Sequence, residues 1–168
     1  MSVSLILLEI ENEEAPGDAT VAGYENQIVV ESFSWGLSAQ LLEKTIDDPV
    51  TKVDAQAVSI RKEFDRSSTV LREMMKDDRD FDATIRFIDP ISRGTDGRID
   101  AVMEFRLLGC HIDRLSLSAE DDGKSVSLSE DLTISYTESV TISYRSYDAT
   151  KKTRGSATTA EIPNSGQD

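Results

Sequence analysis

One change of hydrophobic period, between residues 53 and 88, constrains the fold of this chain more than any other feature. Across Ala57–Phe64 the apolar residues occupy alternate positions, which predicts a strand with one buried face. Alternation returns over Phe81–Ile88 and predicts a second strand. Between the two strands, apolar residues recur at helical spacing: Val70, Leu71, Met74 and Met75. The stretch therefore predicts a strand, a single short helix and a strand.

The helix has sequence signals at both ends. Asp65 or Ser67 can accept hydrogen bonds from the free N–H groups of a helix start, and Lys76 complements the helix dipole in the last turn. A lone amphipathic helix cannot bury its apolar stripe by itself. It must lie on the sheet that contains its flanking strands, or against a neighbouring subunit.

Most of the remaining chain follows the two-residue period of strands. Strands are predicted over Ser4–Ile10, Ile28–Trp35, Ala101–Leu117 and Ser125–Tyr147. The apolar parity flips at Gly109, which predicts a bulge or barrel corner. Glu138 places a charge on the apolar parity of its strand, which predicts a bend or twist nearby. Gly123 follows two aspartates and marks a hairpin turn.

Three segments lack a clear period. Leu37–Asp54 is interpreted as a long extended loop, of the kind that is usually functional or held by a partner. Asp89–Asp100 contains Pro and Gly and predicts a turn region between two antiparallel strands. Residues 149–168 are expected to form a disordered tail after one domain over residues 1–148.

The charge of the chain limits its partners. Its 168 residues carry a net charge of -14, which argues against binding to nucleic acid or insertion at anionic membranes. The single cysteine rules out an internal disulfide. The first residues lack the features of a signal peptide, so we expect folding in the cytoplasm and, if the protein is secreted, a route other than general secretion.

The sequence contains no recognisable motif for a catalytic, cofactor or metal site. Cys110 and His111 are neighbours, but adjacent strand residues point to opposite faces and cannot easily pair. Asp77–Asp82 places carboxylates at alternate positions, yet it lacks the spacing of an EF-hand and is interpreted as a solvated acidic turn. The residues alone therefore favour a binding or structural unit over an enzyme.

Three stretches carry a family resemblance. Ile28–Gly36 ends in Ser-Trp-Gly, Val53–Ser68 joins a strand to the only helix through Asp and Ser, and Glu130–Tyr144 closes the β pattern. Together, in this order, they resemble the haemolysin-coregulated protein (Hcp) family, whose members form the inner tube of the bacterial type VI secretion system. The resemblance covers Ser4 to Tyr147.

The resemblance implies a mainly β fold, a compact antiparallel β-barrel of two sheets with the helix packed on its side. It also implies homohexameric rings that stack into a tube inside a contractile sheath, with a spike protein at the tip and effector proteins in the lumen. The protein would be secreted by this system without a signal peptide. An arm for contacts between subunits is expected in the long loop, at Leu41, Leu42, Asp47, Asp48, Pro49 and Val50.

Two alternatives remain open from the sequence. A tail tube protein of a phage-like contractile injection system shares the same features. A monomeric β-barrel that binds a ligand or calcium belongs to a different class, and sizing the protein in solution separates it from a ring-forming subunit.

Overall fold

The computed structural model describes residues 3–45, 48–93, 99–148 and 153–164. This part of the chain contains ten strands and one helix, and its strand pairs are antiparallel. The elements are β1 Leu5–Glu11, β2 Ile28–Val30, β3 Ser32–Ser34, β4 Leu37–Thr45, β5 Asp48–Ala55, β6 Val58–Glu63, α1 Ser67–Lys76, β7 Phe81–Arg93, β8 Ile99–Asp121, β9 Val126–Asp148 and β10 Thr153–Pro163. The mainly β fold with one short helix is confirmed.

One continuous segment closes the main sheet into a barrel. The sheet runs in the order β2-β1-β7-β8-β9-β6-β3. Its two end strands, β2 and β3, are separated along the chain only by Glu31, whose N–H donates to the carbonyl of Arg61 at 2.8 Å. Val30 pairs with Ile6 on one side, and Ser32 pairs with Arg61 on the other. The segment therefore hydrogen-bonds both edges of the sheet, which removes those edges from solvent.

The strand, helix and strand predicted at the centre of the chain are present as β6, α1 and β7. Leu71 and Met74 are buried in the main core, whereas Met75 is exposed, so the buried stripe is narrower than predicted. Asp65 Oδ1 accepts from the N–H of Ser67 at 2.9 Å and satisfies one free donor at the helix start. Lys76 occupies the last turn, as expected.

Strand β1 is covered on both faces, which explains its continuous apolar sequence. Leu8 belongs to the main core, and Leu7 belongs to a second cluster with Ala19 from the segment between β1 and β2. Arg66, just before the helix, fixes that segment by pairing with Asp18 at 2.7 Å. The segment between β1 and β2 thus serves as the outer cover of strand β1.

The two longest strands, β8 and β9, contain the predicted irregularity. Gly109 has a positive φ of 67°, and the pairing register shifts here against both neighbouring strands. Its N–H donates to Asp82 Oδ1 at 3.1 Å, and its carbonyl accepts from Thr137 Oγ1 at 3.2 Å. Thr137 and Glu138 together face Gly109 across the ladder, so both sequence signals mark one bulge.

The interpretation of Leu37–Asp54 as an extended loop is wrong. Most of it forms the hairpin of β4 and β5, which pair with each other in a separate two-stranded sheet. The described β4 side chains, Leu37 to Gln40, are all exposed. With no buried side chain between Leu37 and Gln40, this part of β4 lacks the alternation that identified the other strands.

The expectation of a disordered tail is wrong for Thr153–Pro163, which forms β10 along β9. Side chains from Gly155 to Glu161 are exposed, so the backbone ladder holds this strand and its sequence carries little apolar signal. Asn164 follows this strand and is described. The rest of the predicted tail, residues 149–152 and 165–168, lies outside the described residues. The predicted turn region also differs, because β7 continues to Arg93 and β8 begins at Ile99.

Candidate assembly surface

The predicted contact residues lie at the end of the β4–β5 hairpin. Leu41 pairs with Thr51, and Pro49 pairs with Lys44. The backbone therefore brings five of the predicted positions into one hairpin, namely Leu41, Leu42, Asp48, Pro49 and Val50. The sixth, Asp47, lies outside the described residues. Their role as an arm between subunits stays a prediction.

Four exposed apolar side chains lie at one end of the barrel, where the β8–β9 hairpin projects. We call them the apolar ridge, which consists of Phe64, Leu117, Val126 and Leu128. Their exposed fractions are 40%, 52%, 64% and 44%. The Phe64 N–H donates to the carbonyl of Leu128 at 3.0 Å and ties the end of β6 to the hairpin. Contiguous exposed apolar side chains are typical of interaction surfaces.

The apolar ridge continues the inner face of the barrel. On β9 the same parity carries Leu132, which is buried in the core, then the buried Glu130, and then the exposed Leu128. On β8, Leu117 lies directly opposite Glu130. The alternation of inward-facing residues therefore continues beyond Glu130, to side chains that the described residues leave exposed.

A buried ion pair separates the core from the apolar ridge. Lys62 Nζ lies 2.8 Å from Glu130 Oε2, and both side chains are fully buried. Lys62 also donates to the carbonyl of Glu63 at 2.8 Å and to Asp65 Oδ1 at 2.9 Å. The ammonium group thus has a partner for each of its protons, as a buried charge requires.

Groups of the helix complete the network around Glu130. Ser68 Oγ donates to Glu130 Oε2 at 2.6 Å, and Arg72 pairs with Glu130 Oε1. The guanidinium of Arg72 also lies over the ring of Phe64, 5.3 Å from its centroid. Helix α1 is therefore joined to β9 and to the base of the apolar ridge by one set of polar contacts.

The network sets the protonation of Glu130. Burial raises the pKa of this carboxyl, but hydrogen bonds from Lys62, Ser68 and Arg72 lower it by more, so its pKa falls below the ordinary value. Glu130 is therefore charged at neutral pH. The end of the barrel beneath the apolar ridge is fixed by a connected network of ion pairs and hydrogen bonds.

Sequence reasoning missed this network although a signal was present. Lys62 and Glu130 occupy positions of even number, which carry the apolar residues of their strands, yet both are charged. When two strands are neighbours in a sheet, opposite charges at core positions of both strands indicate a buried ion pair. Glu138, the charge that predicted a bend in β9, is instead exposed beside the bulge.

The structure agrees with the prediction that Cys110 and His111 point to opposite faces of their strand and do not pair. Cys110 is fully buried, and burial raises the pKa of its thiol to about 12. The side chain of His111 is partly exposed, with Nε2 at 3.2 Å from Asp80 Oδ1 and Nδ1 at 3.6 Å from Asp78 Oδ1. The imidazole therefore interacts with the acidic turn rather than with the thiol.

Among the residues that the structure describes, no group of three or more His, Cys, Asp or Glu side chains is arranged to hold a metal ion. Within the described ranges, helix α1 is neither long enough nor apolar enough to span a membrane.

Comparisons with known proteins agree on one family. The sequence profile described as "Type VI secretion system effector, Hcp" matches residues 7–150. No curated protein sequence matches the chain. The fold is similar to a structure titled "Structure of a type six secretion system protein", with a TM-score of 0.76, 14% identity and coverage of 95% of this chain and 93% of that chain.

Two further solved structures share the fold. Hcp1 from Salmonella typhimurium has a TM-score of 0.71 and 18% identity, over 97% of this chain and 96% of that chain. Hcp1 from Flavobacterium johnsoniae has a TM-score of 0.60 and 17% identity, over 96% and 100%. Because the profile spans most of the sequence and the barrel is shared, this chain belongs to the Hcp family of type VI secretion system proteins.

Proposed function

We propose that this chain is the structural subunit of a type VI inner tube. Six copies form a ring, rings stack into a tube within a contractile sheath, and a spike protein lies at the tip. Effector proteins travel in the ring lumen. Membership of the Hcp family supports the general role. The observation that carries assembly is the apolar ridge, which continues the core face and stays exposed among the residues that the structure describes.

Size and shape in solution test this proposal. We expect a ring of six subunits by native mass spectrometry and by electron microscopy of the purified protein. A monomer at every concentration would contradict the proposal and favour the ligand-binding barrel. Rings alone do not separate the type VI tube from a phage-like tail tube, so the neighbouring genes supply that distinction.

We assign the chain no catalytic role. The thiol of Cys110 is buried with a raised pKa, and His111 faces carboxylates on the other side of the strand. These environments support a structural role because neither side chain has the geometry of an activated nucleophile and its base.

The β4–β5 hairpin is proposed as the arm that contacts a neighbouring subunit or ring. It forms its own sheet, and the Gln56 N–H donates to the carbonyl of Gly36 at 3.0 Å where the hairpin leaves the barrel. Deleting Leu41–Val50 should leave the barrel folded by circular dichroism but shorten or abolish tubes in electron micrographs. Tubes of unchanged length would contradict this role.

We further propose that residues 1–148 act as the assembling domain and that the protein folds in the cytoplasm before export by the type VI machine. A matched pair of cells, with and without a working sheath, tests the route. Export that persists without the sheath would contradict it.

A further inference from the structure

We propose that residues 17–27, within the segment between β1 and β2, form a hinged cover that swings off the outer face of the barrel as one unit. We call these residues the cover loop. Its release exposes an apolar patch on β1, β7 and β8 that the closed structure keeps from water. The inference concerns one face of the single barrel, so it does not depend on assembly of the chain.

The cover loop holds its own shape through backbone hydrogen bonds. The Gly17 N–H donates to the carbonyl of Asn26 at 2.7 Å, which brings the two ends of the loop together in a neck. The Ala19 N–H donates to the carbonyl of Gln27 at 3.0 Å, and the Asn26 N–H donates to the carbonyl of Ala19 at 2.9 Å. A compact surface loop with adjacent ends is an Ω-loop. Because its bonds are internal, they persist when the loop leaves the barrel.

The closed cover loop lies over an apolar patch on the outer face of the sheet. This patch contains Leu7 on β1, Ile88 on β7 and Ala101 on β8, all of which are buried. The loop contributes the buried Ala19 and the partly buried Tyr24 to the same cluster. Removal of this apolar area from water favours the closed position.

Tyr24 acts as a latch at the end of the cover loop away from the neck. Its hydroxyl donates to the carbonyl of Ile99 at 2.9 Å, and the guanidinium of Arg86 lies 5.9 Å from the centroid of its ring. Burial raises the pKa of the Tyr24 hydroxyl, in agreement with a ring that the closed loop holds partly out of water. A hydrogen bond and a ring contact therefore fasten the loop over the patch.

Arg66 holds the neck of the cover loop. It pairs with Asp18 at 2.7 Å, donates to Asn26 Oδ1 at 3.1 Å and donates to the carbonyl of Gly17. The side chains of Arg66 and Asp18 are 55% and 56% exposed, so dissolved salt screens this pair. Asn26 has a φ of 65°, an uncommon conformation for a residue other than glycine, and marks the hinge.

These features place the cover loop at the low end of local stability. Residues 17–27 belong to no helix or strand, and their fastenings are an exposed ion pair and one side-chain hydrogen bond over a small apolar contact. Segments of this kind open without unfolding of the whole domain. We therefore expect the patch to be exposed at times when the barrel is still closed.

Two thiols in one molecule test this expectation. Ala101→Cys places a thiol in the patch, and the native Cys110 reports on opening of the barrel itself because it is fully buried. Labelling with DTNB is followed for each site by mass spectrometry. We expect Ala101→Cys to react at least tenfold faster than Cys110, with a weaker dependence on urea. Equal rates with equal urea dependence would overturn the inference, because the patch would then be exposed only by global unfolding.

Removal of the latch separates opening of the loop from leakage through a closed loop. In the Ala101→Cys protein, Tyr24→Phe deletes the hydroxyl but keeps the ring, and should raise the labelling rate at position 101 at least threefold. Tyr144→Phe, at an exposed ring on β9, is the matched control and should change the rate by less than 1.5-fold. Labelling of Cys110 should be the same in both variants.

Removal of the neck contact tests the role of Arg66. Arg66→Met should also accelerate labelling at position 101 at least threefold, and 0.5 M NaCl should accelerate it in the protein that keeps Arg66. Arg106→Met is the matched control, since its side chain is 56% exposed and pairs with Glu11 at the end of β1, outside the loop. Rates that respond to neither Tyr24→Phe nor Arg66→Met would overturn the inference.

A measurement on the wild-type chain removes dependence on the new cysteine. Chymotrypsin cuts after aromatic residues, so it can cut after Tyr24 once the cover loop opens. We expect this cut in native buffer, at a rate that 0.5 M NaCl raises, while the rest of the barrel stays intact. Cleavage only at urea concentrations that unfold the barrel would contradict a cover that opens by itself.

Discussion

The ammonium of Lys62 lies 2.8 Å from Glu130 Oε2, and water reaches neither side chain. The pair is located where the covered core ends and the apolar ridge begins. Removing one partner leaves the other charge buried with too few contacts, so the pair makes the strongest prediction about stability.

Replacing Lys62 with Met should lower the free energy of unfolding by about 3 kcal/mol, because the carboxylate of Glu130 loses its fully buried cation. Urea denaturation monitored by circular dichroism measures this change. Lys124→Met, at the exposed β8–β9 turn, serves as the matched control and should have little effect. A loss equal to that of the control would show that the charge of Arg72 and the hydrogen bond from Ser68 are sufficient to stabilise the carboxylate of Glu130.

The same carboxyl predicts a pH dependence. The pKa of Glu130 is lower in the folded protein than its ordinary value, so the unfolded chain binds more protons in the interval between these two values. Its stabilising contribution is therefore complete above the unfolded pKa and is lost as pH falls through the folded pKa. The difference in unfolding free energy between wild type and Glu130→Gln should shrink over that acidic interval. A difference that stays constant with pH would contradict the assignment.

Gly109→Ala should destabilise the barrel by about 2 kcal/mol, because the backbone has a positive φ and the new Cβ would lie 2.5 Å from Thr137 Oγ1. Gly123→Ala is a matched control, since that glycine also has a positive φ but no atom within 4 Å of the new Cβ. Thermal unfolding of both variants separates backbone strain from the steric clash. Equal losses would show that the clash relaxes at no cost.

Cys110 should react slowly with a thiol reagent such as DTNB at pH 8 in the folded protein and fast in urea. Burial and the raised pKa leave almost no thiolate for attack. His111→Ala should leave that slow rate unchanged, because the imidazole pairs with Asp78 and Asp80. A rate that falls in this variant would indicate that His111 activates the thiol.

Much of the fold could be predicted from alternation, because a strand with one buried face must alternate. The period changes around α1 and the parity flip at Gly109 reflect burial directly. The hairpin β4–β5 and strand β10 escaped prediction because exposed strands are stabilised by backbone pairing, which any non-proline residue supplies.

The candidate surface was only partly predictable. Leu128 and Val126 lie in the predicted strand Ser125–Tyr147, at the same alternate positions as the buried Leu132. The local sequence does not indicate that these positions become exposed beyond Glu130. Ser68, at the start of α1, contacts Glu130, and this contact depends on tertiary packing rather than on local sequence. Pairing of Lys62 with Glu130 required knowledge of the β6–β9 register, in which these residues are opposite each other.

The segment through Glu31 that joins both edges of the sheet has a consequence for how the chain folds. The first half of this segment, β2, pairs with β1. Strand β1 in turn pairs with β7, and the paired residues Leu5 and Ile88 are distant in sequence. Closure of the barrel by the segment through Glu31 therefore follows the formation of most other strand pairs. Topologies of this kind reach the native state slowly. Newly synthesised subunits would have unpaired strand edges during that interval. Cells that make many copies at once therefore benefit from keeping nascent chains apart until the last strand pair has formed.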